Sequence, residues 1–154
     1  MSQTFSPDAK LKLDFGGEYK FEGSIRQVCR IDPNDLDKER EEHPARLAWF
    51  GVLKAKSTFA RKDAESTLKT VVSEVDNAAR EEYSCIGQKY TEKMIEGVVD
   101  INPRVLAARD ARALAEYNEE AAEALFVAYR QRKDLIITMA NDRASERAIS
   151  GMAP

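Results

Sequence analysis

The sequence has few of the residues on which catalytic and metal sites most often depend. It contains two cysteines, Cys29 and Cys85, which are not in a CxxC spacing, and a single histidine, His43. This set cannot form an ordinary Cys/His zinc site. We interpret both cysteines as buried or neutral thiols, and we expect the protein to hold no metal or other cofactor.

The loops that bind nucleotide phosphates are also missing. The sequence contains neither G-x-x-x-x-G-K-[S/T] nor G-x-G-x-x-G, and no pattern supplies a catalytic histidine to a serine or cysteine. Carboxylates are plentiful, but they occur in charge runs on predicted exposed helix faces, which is typical of solubility rather than of acid–base catalysis. We therefore expect a protein that is not an enzyme.

Long apolar runs and an excess of positive charge are absent as well. No apolar segment approaches the roughly 20 residues of a membrane span, and the amino terminus lacks the apolar core of a signal peptide. These features predict a cytoplasmic protein without a membrane partner. A net charge of −3 and a pI near 5.4 argue against binding duplex nucleic acid by bulk charge, so such binding would depend on local basic patches.

Long charged segments rich in alanine make up most of the chain. Residues 103–143 contain no internal glycine or proline, and small apolar residues recur there at helical spacing, which predicts one long helix. A second long helix is predicted from Pro44, a favourable first helical residue, to about residue 83. Gly87 ends it, and Thr91 caps a short helix at residues 92–99. Residues 36–42 could begin a helix or form a solvated linker.

The amino-terminal part has a different pattern. Apolar residues alternate with charged ones on both sides of Gly16-Gly17, which predicts a β-hairpin after a loose tail at residues 1–10. The hairpin must pack on the helices or pair with another chain. Residues 24–31 could form a further short strand. We thus predict a mainly α fold, a long antiparallel helical hairpin (long, short, long), with a tail and β-hairpin at residues 1–31 and a helical domain at residues 32–154.

Charge blocks indicate how the two long helices would face each other. If they are antiparallel, the numbers of facing residues sum to roughly 186. Acidic residues at positions 74–82 then lie beside Arg104, Arg109 and Arg112, and the basic residues Arg61, Lys62 and Lys69 lie beside acidic residues at positions 116–123. Such matches select register more than they add stability.

At one end of this arrangement, the facing residues carry charges of the same sign. Lys54 and Lys56 would lie beside Arg130, Arg132 and Lys133, in a region that also contains the aromatic residues Trp49, Phe50, Phe59 and Tyr129. Cations interleaved with aromatic rings are what single-stranded nucleic acid requires. The alternative interpretation is that the rings are core and that the cations are solvated or paired with the acidic residues Asp35, Asp37, Glu39, Glu41 and Glu42.

Two stretches carry a resemblance to a known family. They are residues 88–100, QKYTEKMIEGVVD, and residues 129–136, YRQRKDLI, the second followed by Asp142-Arg143. With the long helix between them, they resemble the UvsY-type recombination mediators of tailed phages, over roughly residues 44–149. The resemblance implies a helical protein of the host cell cytoplasm that forms ring-like homo-oligomers and binds single-stranded DNA. It also implies partners: a RecA-like recombinase, which the family helps to load, and the single-strand-binding protein that covers the strands.

The same resemblance extends the predicted DNA-binding residues. The family's K-x-T-E-x-x-I segment corresponds to residues 89–95, and Lys69 and Arg80 are nearest to the basic residues of its first helix, although Glu74 and Asp76 between them depart from the family pattern. The predicted nucleic-acid-binding residues are Lys54, Lys56, Arg61, Lys62, Lys69, Arg80, Lys89, Lys93, Arg130, Arg132 and Lys133.

Other functions stay open at this point. The main alternative is a structural or assembly coiled-coil protein, such as a scaffold or chaperone, whose basic cluster binds an acidic protein partner. A nuclease regulator or a host-defence inhibitor is a further alternative.

Overall fold

The computed structural model describes Ser6 and residues 8–151, so part of the predicted tail and of the carboxyl terminus lies outside the described residues. The elements are β1 (Leu11–Asp14), β2 (Lys20–Gly23), α1 (Ile25–Cys29), α2 (Leu36–Cys85), α3 (Glu92–Ile101) and α4 (Pro103–Ser150). The prediction of long, short and long helices after a small β-hairpin is confirmed.

Strands β1 and β2 pair antiparallel around the predicted glycine turn. Leu13 is opposite Phe21, and Gly16 and Gly17 have φ values of 83° and 60°, a region that residues with a side chain rarely adopt. The N–H of Gly16 also donates to the Asp14 carboxylate at 2.9 Å. Because side chains alternate along a strand, Leu11 and Leu13 are buried on one face.

The segment after the hairpin is a short helix rather than a strand. Ser24 and Gln27 form a capping box, in which the Gln27 N–H donates to the Ser24 hydroxyl at 3.3 Å and the Ser24 N–H donates to the Gln27 side-chain oxygen at 2.9 Å. These two bonds satisfy backbone donors that a helix start leaves free. A weak apolar pattern had suggested a strand, but the local capping residues decide the structure.

Helix α2 begins at Leu36, eight residues before Pro44. The predicted start of this helix at Pro44 is therefore wrong. Asp35 provides the start signal, since its carboxylate accepts the Lys38 N–H at 3.4 Å and its carbonyl accepts the Glu39 N–H at 3.1 Å. Pro44 lies inside the helix, where it has no N–H to give to the carbonyl of Arg40. Residues 36–42 are thus helix, not linker.

Two compact units make up the chain. The first unit comprises residues 1–56 and 120–154, and the second comprises residues 57–119. The core of the first unit joins hairpin residues to side chains of α2 and α4: Leu11, Leu13, Phe50, Leu53, Ala121, Ala122, Leu125 and Tyr129. The division predicted at residue 31 is therefore not where the units separate, because the hairpin packs on the helices of its own chain.

In the second unit, α3 lies beside the end of α2. Ile95 and Val99 pack with Val75, Ala79 and Val105, and α3 therefore covers the last turns of α2. Helix α4 begins opposite Glu74, whose carboxylate is 2.6 Å from the Arg104 guanidinium. The predicted antiparallel match of the charge blocks is confirmed by this pair and by that of Arg61 with Glu119, but the exact register is shifted from the predicted one by roughly two helical turns.

The buried face of α4 agrees only in part with the apolar stripe that helical spacing predicts through Leu106, Ala121 and Leu135, because only Ala121 of these three is buried. Leu106 and Leu135 are 45% and 56% exposed, whereas Val105 and Ile136 are buried. The buried face also includes Arg132, which is 1% exposed. Because arginine is charged, hydrophobic periodicity does not predict that this position is buried.

Candidate nucleic-acid interface

The predicted cluster of unmatched positive charge contains acidic partners. Lys54 forms an ion pair with Glu123 and lies over the Phe126 ring, 5.2 Å from its centroid, because the shifted register brings an acidic residue opposite it. Lys56 lies over the Tyr19 ring at 4.3 Å. Glu123 therefore supplies at Lys54 the opposite charge that the predicted cluster lacked, although Arg130 does lie near Lys54, over the same Phe126 ring.

Arg132 is buried and cannot contact a phosphate of a bound strand. Its guanidinium donates to the Glu39 carboxylate at 2.6 Å and to the Arg30 carbonyl at 2.8 Å, and it lies 5.3 Å from the centroid of the Tyr129 ring. Pairing of the cluster with acidic residues at positions 35–42 was the alternative interpretation, and it is confirmed for Glu39.

The ionisation of Glu39 reflects this environment. Burial by itself raises the pKa of the carboxyl group, but hydrogen bonds from Arg132 and from the Asp32 N–H, together with the nearby positive charge, outweigh it. The net result is a pKa below the ordinary value, so Glu39 is ionised at neutral pH.

The other predicted cations fall into three groups. Arg130 and Lys133 are exposed in the first unit, with the Arg130 guanidinium 6.0 Å from the Phe126 ring centroid. Three cations of the second unit are paired with carboxylates: Arg61 with Glu65 and Glu119, Lys69 with Glu65, and Arg80 with Asp76 and Glu92. Within the described residues, no ion pair involves the exposed Lys62, Lys89 or Lys93.

Three of the four predicted aromatic residues do lie together. The ring centroids of Trp49 and Phe50 are 5.0 Å apart, and those of Phe50 and Tyr129 are also 5.0 Å apart. The His43 ring stacks on Tyr129 at 4.8 Å. Phe59 belongs to the second unit and is 72% exposed.

These three rings line a cavity of about 280 Å³ in the first unit, here called the ring pocket. Its other lining residues are Gln27, Val28, Arg30 and Arg46. Phe50 and Tyr129 are buried and form its floor, while Trp49 is only partly buried and Arg30 and Arg46 are exposed. Aromatic ring surface thus lies beside two guanidinium groups.

The positions of Arg30 and Arg46 follow from the local structure around them. Arg46 pairs with Glu42 one turn earlier on α2, and Arg30 directly follows α1, which the capping box of Ser24 and Gln27 holds in place. Neither arginine was among the predicted binding residues. The S-x-x-Q capping signal could have identified α1, but not the side of α2 on which Arg30 lies.

Burial also affects the hydroxyl group in the pocket. Desolvation raises the pKa of Tyr129 and outweighs the lowering effect of the nearby Arg132 and Arg46. The tyrosine is therefore neutral at physiological pH and adds no negative charge to the pocket.

The described part of the chain also bears on metal binding, membrane insertion and thiol chemistry. Residues 8–151 contain no group of three His, Cys, Asp or Glu side chains that could hold a metal ion. Within the same range, no helix combines the length and the apolar character that crossing a membrane requires. Cys29 and Cys85 are both free thiols, Cys85 being exposed, and burial raises the pKa of Cys29.

Comparison with known protein families, with curated proteins and with solved structures finds no match to this chain. The resemblance to the UvsY-type mediators therefore stays a prediction.

Proposed function

We propose that the protein is a non-enzymatic recombination mediator that binds single-stranded DNA at the ring pocket. The observation that supports this function best is the arrangement of Trp49 beside Arg30 and Arg46. A base can stack on the exposed part of the indole, and the guanidinium groups can neutralise the flanking phosphates. Base stacking of this kind tolerates any sequence, as a mediator requires.

The partners in this proposal come from the resemblance alone. They are a RecA-like recombinase, a single-strand-binding protein and further copies of the chain arranged as a ring in the host cytoplasm. One ring pocket per subunit would give weak binding, whereas several pockets on one strand would raise the overall affinity by avidity.

An assembly protein is the second candidate. It is favoured by large apolar side chains that are exposed in the second unit, where Phe59 is 72%, Leu114 is 61% and Ile101 is 75% exposed. Exposed apolar side chains of this size are more typical of protein contacts than of solvated helices.

Fluorescence anisotropy with a labelled single-stranded oligonucleotide over a salt series tests the proposal. The double variant Arg30→Glu/Arg46→Glu should weaken binding at least about tenfold and should lower the salt slope by about 1.4, because each lost phosphate contact removes about 0.7. The matched control is Lys10→Glu/Lys38→Glu, which makes the same charge change at two exposed lysines of the first unit that line neither the ring pocket nor any predicted binding segment.

The control should bind almost as the unchanged protein does. Equal weakening by both double variants would indicate a non-specific charge effect and would contradict a site at the ring pocket. If the unchanged protein fails to bind single strands even at low salt, the mediator function is wrong and the assembly function is favoured.

A further inference from the structure

A second surface of the first unit combines basic and apolar residues. It consists of two neighbouring cavities between the start of α2 and the last turns of α4, of about 220 and 260 Å³, and Arg40 lines both. We call it the basic groove. Its charged residues are Arg40, Lys133, Arg143, Arg147, Asp35 and Asp37.

Positive charge dominates the basic groove, although the chain as a whole carries a net charge of −3. The Arg143 guanidinium is held by the Pro33 carbonyl. The carboxylate of Asp35 accepts the Lys38 N–H and so is already engaged at the helix start. Within residues 8–151, no ion pair involves Arg40 or Arg147. The guanidinium groups of Arg40 and Arg147 can therefore pair with the carboxylates of an acidic ligand.

The other end of the groove is apolar but lacks an exposed aromatic ring. Pro44, Ile136 and Ile137 line it, Ile137 being 43% exposed, while the only ring there, His43, is 5% exposed and stacked on Tyr129. A nucleobase would find no platform on which to stack. An aliphatic or aromatic side chain of a peptide would instead fit among these residues.

Pro44 is an unusual residue in the groove. Because proline has no N–H, the carbonyl of Arg40 lacks the donor that the helix would ordinarily supply four residues later. Pro44 lines the apolar cavity together with Arg40, so its ring adds to the apolar surface there.

We infer that the basic groove binds an acidic peptide segment of a protein partner, with one bulky apolar residue of that segment in the apolar cavity. Carboxylates of the segment pair with Arg40, Arg143 and Arg147, whose planar fork can bind a carboxylate through two hydrogen bonds. This surface shares no lining residue with the ring pocket, so one subunit can hold a strand and a protein together.

A fluorescein-labelled peptide of about ten residues, mostly Asp and Glu with a central Phe-Ile pair, is the probe for this groove. Anisotropy titration should show saturable binding. Arg143→Glu/Arg147→Glu should weaken it at least about tenfold, and so should Ile137→Asp, which changes an exposed position and spares the core. Arg30→Glu/Arg46→Glu should leave peptide binding unchanged, with helicity checked by circular dichroism for each variant.

A second peptide, with serine in place of Phe-Ile, distinguishes binding that uses the apolar cavity from binding by charge alone. It should bind at least about tenfold more weakly than the first. Equal binding of both peptides, or no binding of either, overturns the inference. Loss of single-strand binding in Arg143→Glu/Arg147→Glu without peptide binding would assign the groove to nucleic acid instead.

Discussion

Replacing Glu39 with leucine (Glu39→Leu) is expected to lower the free energy of unfolding of the first unit by about 3–5 kcal/mol. The Arg132 side chain is 1% exposed, and that of Glu39 is 15% exposed. Without the carboxylate, a positive charge stays buried with only the neutral Arg30 carbonyl and the Tyr129 ring beside it. Urea unfolding followed by the fluorescence of Trp49, the single tryptophan of the chain and part of this unit, measures the loss.

Two further variants identify the cause. Glu42→Leu breaks the neighbouring exposed ion pair with Arg46 and should cost no more than about 1 kcal/mol. The double variant Glu39→Leu/Arg132→Met replaces the buried pair by apolar groups and should recover most of the stability. Equal effects of Glu39→Leu and Glu42→Leu would show that the buried pair does not stabilise the unit.

The same pair predicts a pH dependence. Because the pKa of Glu39 is lower in the folded than in the unfolded state, its stabilising effect is present above the unfolded pKa of about 4.3 and is lost as the pH falls through the folded pKa. The stability difference between the unchanged protein and Glu39→Leu should therefore shrink in this acidic range. A constant difference would contradict the assigned shift.

Replacing Leu13 with alanine (Leu13→Ala) is expected to cost about 2–5 kcal/mol. Leu13 is 1% exposed and belongs to the core formed by the hairpin with Phe50, Leu53 and Leu125. The truncation leaves a cavity that the surrounding helices can only partly fill. Thermal unfolding of the unchanged and the substituted protein gives the difference.

Lys12→Ala is the matched control, because Lys12 is the adjacent residue of β1 and lies on its exposed face. It should change the stability by no more than about 0.5 kcal/mol. If Leu13→Ala were equally neutral, the hairpin would not stabilise its own helices, and pairing with another chain would again be the better explanation.

The sequence predicts element types well where one periodicity dominates. Alternation around Gly16-Gly17 identifies the hairpin, and the long period of 3.6 residues identifies α2 and α4. It fails where two local signals compete: Pro44 is a favourable first helical residue, yet the capping by Asp35 decides the start. The exact register between α2 and α4 was not predicted, because it depends on where α3 packs, which is a tertiary property.

The candidate site was predicted in part for the same reason. Trp49, Phe50 and Tyr129 were expected near one another and do line one pocket. The cations beside them were not identified, because Arg30 reaches the rings only through the packing of α1. The sequence alone does not indicate that the side chain of a charged helical residue such as Arg132 is buried.

The fluorescence of Trp49 tests the central claim, that single-stranded DNA binds at the ring pocket, most directly. An unlabelled oligothymidylate should quench the emission to saturation, and added salt should reverse the change. An abasic strand of the same length, which keeps the phosphates but has no bases, should quench much less. Emission that stays constant at saturating DNA, or equal quenching by the abasic strand, would contradict stacking at this pocket.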